Sequence, residues 1–306
     1  MTTGGRWRTA PGEKDVIVVG VRVGYEWKST SLPGDTSPMR ALLPLLAATL
    51  VTACIPEPVE WAEATTAAPG ALADSLRLDL DATGATTFTP AWTPPVWPAE
   101  GAQCLATRRA VLGAADVAYA SWFTVRPDSS VVLRAARSDD GGRSWRAPVT
   151  ADSTDVGRAG CARPVPALAL DALNGYVHIA YHLVGREGAG LVFTHSMDDG
   201  ALFHEPVPIV YGDRPSLATV ASRGDTVVVA YEDPNSRLPR LGVAVSRVQG
   251  HIFEAWQPAS DETGEARGPR IALRGDHVVL AWTATQRGGG TPRTIRRDGT
   301  LRWRTP

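Results

Sequence analysis

The sequence predicts an all-β chain folded as a β-propeller of four-stranded antiparallel blades, and three observations carry that prediction. An octet, Ser138-Asp139-Asp140-Gly141-Gly142-Arg143-Ser144-Trp145, recurs downstream in weaker copies. A small residue followed by an aromatic recurs as Ser121-Trp122, Ala180-Tyr181, Ala230-Tyr231 and Ala281-Trp282, the aromatics 59, 50 and 51 residues apart. Six and seven residues ahead of each aromatic stands a turn signal: Ala115-Asp116, Asn174-Gly175, Gly224-Asp225 and Gly275-Asp276. Between turn and aromatic the residues alternate or are β-branched, as in 176–181 and 226–231, which is a strand signature. Short strands repeating every 40 to 60 residues suit propeller blades better than helical solenoids.

Each position of the octet has a local reason. Ser138 and Asp140 carry short polar side chains able to cap backbone N–H groups in a tight turn, and Gly142 tolerates a positive φ. Trp145 is expected to open the next strand and bury its ring, its indole N–H seeking an acceptor. The second copy keeps the register with Ser196, Asp198, Gly200 and Phe203. The third, Ser246, Gly250 and Phe253, has lost its aspartate, and a fourth trace keeps only Asp298 and Trp303.

These motifs resemble the Asp-box, or BNR-repeat, β-propellers, of which sialidases are the best-known members. The resemblance covers roughly residues 101–303. The same box occurs in sortilin-type receptors, glucanases and photosystem assembly factors, so it implies a fold and not an activity. In that family the box lies on the face opposite the ligand site, which implies a structural role for its residues here.

Residues 39–53 read as a lipoprotein signal. Met39-Arg40 gives a basic start, 41–51 an apolar run too short to span a bilayer, and Val51-Thr52-Ala53-Cys54 resembles a bacterial lipobox. The resemblance implies that Cys54 is lipidated and that the protein is exported and held on the cell envelope by acyl chains. Residues 1–38 read as a non-native or unstructured extension, with Met39 the expected start. Residues 54–75, rich in Pro, Ala, Thr and Glu, read as a flexible tether, and 76–306 as the propeller. Only four repeats are legible, so either the propeller is incomplete or an N-terminal strand, Leu76–Leu80 the candidate, supplies the outer strand of the last blade.

Residues 54–306 carry 25 Lys and Arg against 28 Asp and Glu, a balance that disfavours nucleic acid as a partner. Cys104 and Cys161 precede Trp122 and Tyr181 by 18 and 20 residues. Equivalent positions in neighbouring blades either form a disulfide between innermost strands or remain two buried thiols. A closed loop of about sixty residues would contribute about 4 kcal/mol. No CxxC pair or histidine cluster is visible, so neither a metal nor a cofactor is expected.

The candidate ligand site is the end of the channel opposite the corners. Arginines stand near the start of each innermost strand: Arg108 and Arg109, Arg163, Arg214, and Arg267 or Arg270. Converging, they would form a ring suited to a carboxylate; apart, they would be rim salt bridges. The sialidase resemblance implies an arginine triad on the substrate carboxylate, a tyrosine nucleophile paired with a glutamate, and an aspartate as acid/base. Its early Arg-Ile-Pro element is matched only by Arg163-Pro164-Val165-Pro166, a departure that puts the catalytic carry-over in doubt. A nucleophile could be drawn from Tyr231 with Glu232, or Tyr211 with Glu205, and an acid from Asp233 or Glu187. Tyr231 and Glu232 are neighbours in a strand and point to opposite faces. Two functions stay open: an exo-sialidase type glycosidase, or a non-catalytic propeller binding a glycan or protein on its open face.

Overall fold

The computed structural model describes residues 57–67, 76–261 and 263–302. The extension, the signal, Cys54 and Trp303 lie outside the described residues. In chain order the first strands are β1 (Val59–Trp61), β2 (Thr65–Thr66), β3 (Leu76–Leu80) and β4 (Thr86–Pro90). Then come β5 (Arg109–Leu112), β6 (Ala118–Val125), β7 (Val131–Ser138) and β8 (Val149–Asp152). They are followed by β9 (Ala167–Leu170), β10 (Val177–Gly185), β11 (Gly188–Ser196) and β12 (Val207–Tyr211). Next are β13 (Ala218–Arg223), β14 (Thr226–Glu232), β15 (Leu241–Ser246) and β16 (Ala255–Pro258), and last β17 (Gly264–Arg274), β18 (His277–Gln286) and β19 (Arg293–Leu301).

The molecule is a β-propeller. Four sheets have four strands on their main path: β5 to β8, β9 to β12, β13 to β16, and β17 to β19 with β1 at the outer edge. β3 and β4 form a two-stranded hairpin that stands as a fifth, shortened blade between the last sheet and the first full one. The innermost strands β3, β5, β9, β13 and β17 all line one central cavity. The repeated Ser/Ala-aromatic pairs fall on β6, β10, β14 and β18, and the turn signals join each to its inner strand. Ala115, Asp116, Gly175, Gly224 and Gly275 all take positive φ there.

Each second strand is covered on both faces by neighbouring blades, which explains its nearly unbroken apolar run. Trp122, Tyr181, Tyr231 and Trp282 are among the largest fully buried side chains. Phe123 meets Tyr181 edge-to-face, with ring centroids 6.4 Å apart, across the first full blade and the next. Burial of each such ring or branched side chain contributes about 1.5–3 kcal/mol. The hairpin lacks outer strands, and the segment after it takes their place: Trp92 and Trp97 pack with Trp145 against Ala110, Trp122 and Ala136.

Several expectations need correction. Leu76–Leu80 is not the outer strand of the last blade; it pairs with β4 and lines the cavity. The closing strand is β1, with Val59 opposite Leu301 and Trp61 opposite Gly299. Residues 54–75 are therefore not simply a tether, since β1 and β2 both pair with β19. The reason is that Val59 and Trp61 are apolar on one face of a two-residue period, a signal too short to stand out. Asp298 is no corner: it lies inside β19 and pairs with Arg296 and His277. Trp145 does not open β8 but sits in the loop before it, half-buried, its indole N–H donating to the Val96 carbonyl at 2.7 Å. Cys104 and Cys161 are joined in a disulfide, and they lie in the loops ahead of β5 and β9 rather than on innermost strands.

Candidate functional site

The corners that follow β7, β11 and β15 are built on one plan. Ser138 Oγ accepts the Gly142 N–H at 2.8 Å and donates to Asp140 Oδ1, which also accepts the N–H groups of Arg143 and Ser144. Gly142 has φ +78°. At the second corner Ser196 accepts the Gly200 N–H at 2.9 Å, and Asp198 accepts that of Leu202. Phe203 is buried beneath it. At the third, with no aspartate, Ser246 accepts the N–H groups of Val248 and Gly250. These hydrogen bonds hold the Asp140 carboxyl down at about 2, the Ser144 hydroxyl being the largest cause. The corners are local scaffolding.

The cavity at the centre has a volume of about 870 Å³. Its lining carries six arginines, 77, 109, 137, 223, 270 and 274, against four aspartates, 79, 81, 171 and 199. Each aspartate is already engaged. Asp79 holds Arg77 and Thr89. Asp81 caps its own turn through Thr83 and Ala85, which lowers its carboxyl, and Asp171 accepts the Leu173 N–H at 2.8 Å. Asp199 pairs with Arg137.

The expected arginine ring is only half present. Register places Arg109, Ala167, Thr219 and Arg270 at one level, opposite Ser121, Ala180, Ala230 and Ala281 respectively. Arg109 and Arg270 line the cavity at that level, and Arg270 Nε donates to the Leu76 carbonyl at 3.0 Å. Arg163 and Arg214 are not among the lining residues. Arg163 is buried in an ion pair with Asp155, N···O 2.8 Å, the two side chains 2% and 4% exposed. Arg214 donates to the carbonyls of Pro234 and Ser236, tying its loop to the next blade. Arg108 bonds Gln103 at 2.7 Å, and Arg267 bonds Glu265 on its own strand. A guanidinium near a loop finds carbonyls and carboxylates locally, which strand position alone does not reveal.

The acidic and tyrosine candidates are not assembled into a catalytic set. Tyr231 is 1% exposed with its ring against Gly242, and burial pushes its phenol up. Glu232 accepts the Gly268 N–H at 2.8 Å. Asp233 caps its own loop, accepting from Asn235 N–H and the Ser236 hydroxyl. Tyr211 is 54% exposed on the outermost strand of its blade, and its carbonyl accepts from the Asn235 side chain at 2.7 Å. The structure thus draws the 211–214 and 233–236 loops together through the Asn235 and Arg214 side chains, each donating to backbone carbonyls of the other loop. Glu187 and Glu205 are exposed.

The expectation of no histidine cluster is also corrected. His195, His204 and His251 each offer a ring nitrogen, all within 4.8 Å of one another. His195 is the last residue but one of β11, His204 follows its corner, and His251 sits in the corner of the adjacent blade, so spacings of 9 and 47 residues hid the grouping. Burial, and then His204 and His251, hold the His195 imidazole down at about 4; burial and His195 hold His178 at about 3. Among the described residues no helix is long and apolar enough to cross a membrane.

No protein-family model matches the sequence, and no curated protein matches it. Solved structures align at low identity. A Hadza microbial sialidase is 18% identical, with 61% of this chain and 45% of that one covered and a TM-score of 0.44. This chain therefore spans less than half the length of that sialidase. Phage phi92 endosialidase is 9% identical over 62% and 34% of the two chains, TM-score 0.47. An exo-1,5-alpha-L-arabinanase from a bovine ruminal metagenomic library is 10% identical over 71% and 88%, TM-score 0.44. All three scores are below 0.5, and it is the strand pairing that defines the propeller.

Proposed function

We propose that this chain is an envelope-anchored propeller that binds an anionic glycan at its central cavity. The observation that supports this reading is the charge on the cavity wall: six arginines face four aspartates, and the aspartates are occupied by their own turns or by Arg77 and Arg137. A guanidinium takes a carboxylate through two parallel N–H donors, and a cavity flanked by low-dielectric walls strengthens that contact. Arg109 and Arg270, at one level on two inner strands, are the residues proposed to meet it. The anchor follows from the lipobox-like Cys54 and the apolar run before it.

Hydrolysis of exo-sialidase type is the alternative that the Asp-box resemblance brings. It requires a tyrosine with a carboxylate in hydrogen-bond reach, and Tyr231 is core while Glu232 and Asp233 are spent on backbone and loop partners. Calorimetric titration with sialyllactose, an oligogalacturonide and neutral lactose tests the binding reading. The acidic glycans should bind, lactose should not, and Arg109→Ala with Arg270→Ala should weaken binding at least fivefold. Equal affinity for lactose would sink the proposal. Turnover of a fluorogenic sialoside that is lost in those variants would establish the hydrolase instead.

A further inference from the structure

His195, His204 and His251 converge from two blades, and the chemistry of their meeting is independent of the cavity and of the reading above. The His204 N–H donates to the His195 carbonyl at 2.9 Å, so the two legs of one corner stand side by side with ring centroids 4.3 Å apart. The neighbouring corner brings the third ring to 4.6 Å from His195 and 5.2 Å from His204. Gly250 makes that approach possible: its φ is +93°, and a Cβ there would meet the Phe193 ring at 2.1 Å.

Two details point to a ligand. His195 is 1% exposed, yet neither of its ring nitrogens has a hydrogen-bond partner. A buried imidazole without a partner has lost its water and gained no hydrogen bond in return, and each such group in a native fold calls for an explanation. His251 is oriented from behind, its Nδ1 lying 2.8 Å from the Val248 carbonyl, which leaves Nε2 as its open ring nitrogen. Histidines that bind metals are held this way.

We infer that His195, His204 and His251 form a binding site for a divalent transition metal, Zn²⁺, Ni²⁺ or Cu²⁺, that clasps two adjacent blades. Three imidazoles with no carboxylate among them exclude the hard cations Ca²⁺ and Mg²⁺, which take oxygen ligands. Tetrahedral Zn–N bonds of about 2.0–2.1 Å set the nitrogens about 3.3 Å apart. The contraction from 4.8 Å falls to His204 and His251, which reach toward solvent and can turn. Three protein donors leave the fourth position to water. The site would tie the second and third full blades together, as the disulfide ties the first and second.

The test uses the full chain, stripped with chelator and titrated with Co²⁺ and then Zn²⁺. One equivalent of Co²⁺ should give the visible bands of tetrahedral coordination, Zn²⁺ should displace it, and the melting temperature should rise with metal. His204→Ala and His251→Ala lie on surface corners; each should weaken binding by at least roughly 10–100-fold, the loss that even an outer-shell change causes. His251→Cys keeps a donor and should retain Co²⁺ with an added sulfur charge-transfer band. Binding well below one equivalent, or undiminished binding in the His204→Ala/His251→Ala double variant, would overturn the inference.

Discussion

Ser138 is a small residue with a large share of the first corner. It is 1% exposed, and its hydroxyl joins the Gly142 N–H to the Asp140 carboxylate. Ser138→Ala leaves a buried N–H without an acceptor, so a loss of about 1–3 kcal/mol is expected in urea unfolding. Asp140 sets a pH dependence. Its folded-state pKa of about 2 lies below the ordinary 3.8, so the folded state binds fewer protons than the unfolded one between those values. Its stabilisation is complete above about pH 5 and is lost progressively as pH falls toward 2. Thermal melts from pH 5 to 2 should show this slope, and Asp140→Asn should flatten it. Arg163 separates two roles on one measurement. Without its guanidinium the buried Asp155 carboxylate keeps only the N–H groups of Val131, Gly157 and Val184, so Arg163→Ala should cost about 3 kcal/mol, the lower end for a broken buried pair. Its effect should appear in stability and not in glycan affinity, because Arg163 is absent from the cavity wall.

At the level of elements, the repeating second strands and their turns were legible because their signals are local. A two-residue alternation and a positive-φ turn declare themselves within ten residues. The same is true of the serine-aspartate corners, whose hydrogen bonds each span no more than four residues. The disulfide was legible only as one of two outcomes, since its loop positions depend on how neighbouring blades stack. Cys104→Ser should cost about 4 kcal/mol for the loop of sequence separation 57, read as a lower denaturation midpoint that reductant reproduces in the wild type. The arginine ring and the histidine cluster failed in opposite directions. Arginines that looked alike along the sequence were taken up by partners such as Asp155 and the Ser236 carbonyl, whereas three histidines that looked scattered were gathered by stacking corners. Side-chain partners across blades are invisible to periodicity.

For the whole propeller, the decisive contact is the one between β1 and β19. β1 completes the last sheet, and the buried Gln257 clasps it twice, accepting the Val59 N–H and donating to the Val59 carbonyl, each at 2.9 Å. Gln257→Leu removes both bonds and leaves two buried backbone groups bare, so about 2–4 kcal/mol should be lost and limited proteolysis should cut first near residue 60. Joining strands that are 242 residues apart, as Val59 and Leu301 are, carries a loop-closure entropy of about 5 kcal/mol. The strand at Val59 must therefore wait for one made 242 residues later, and until Leu301 arrives the last sheet keeps an open, sticky edge.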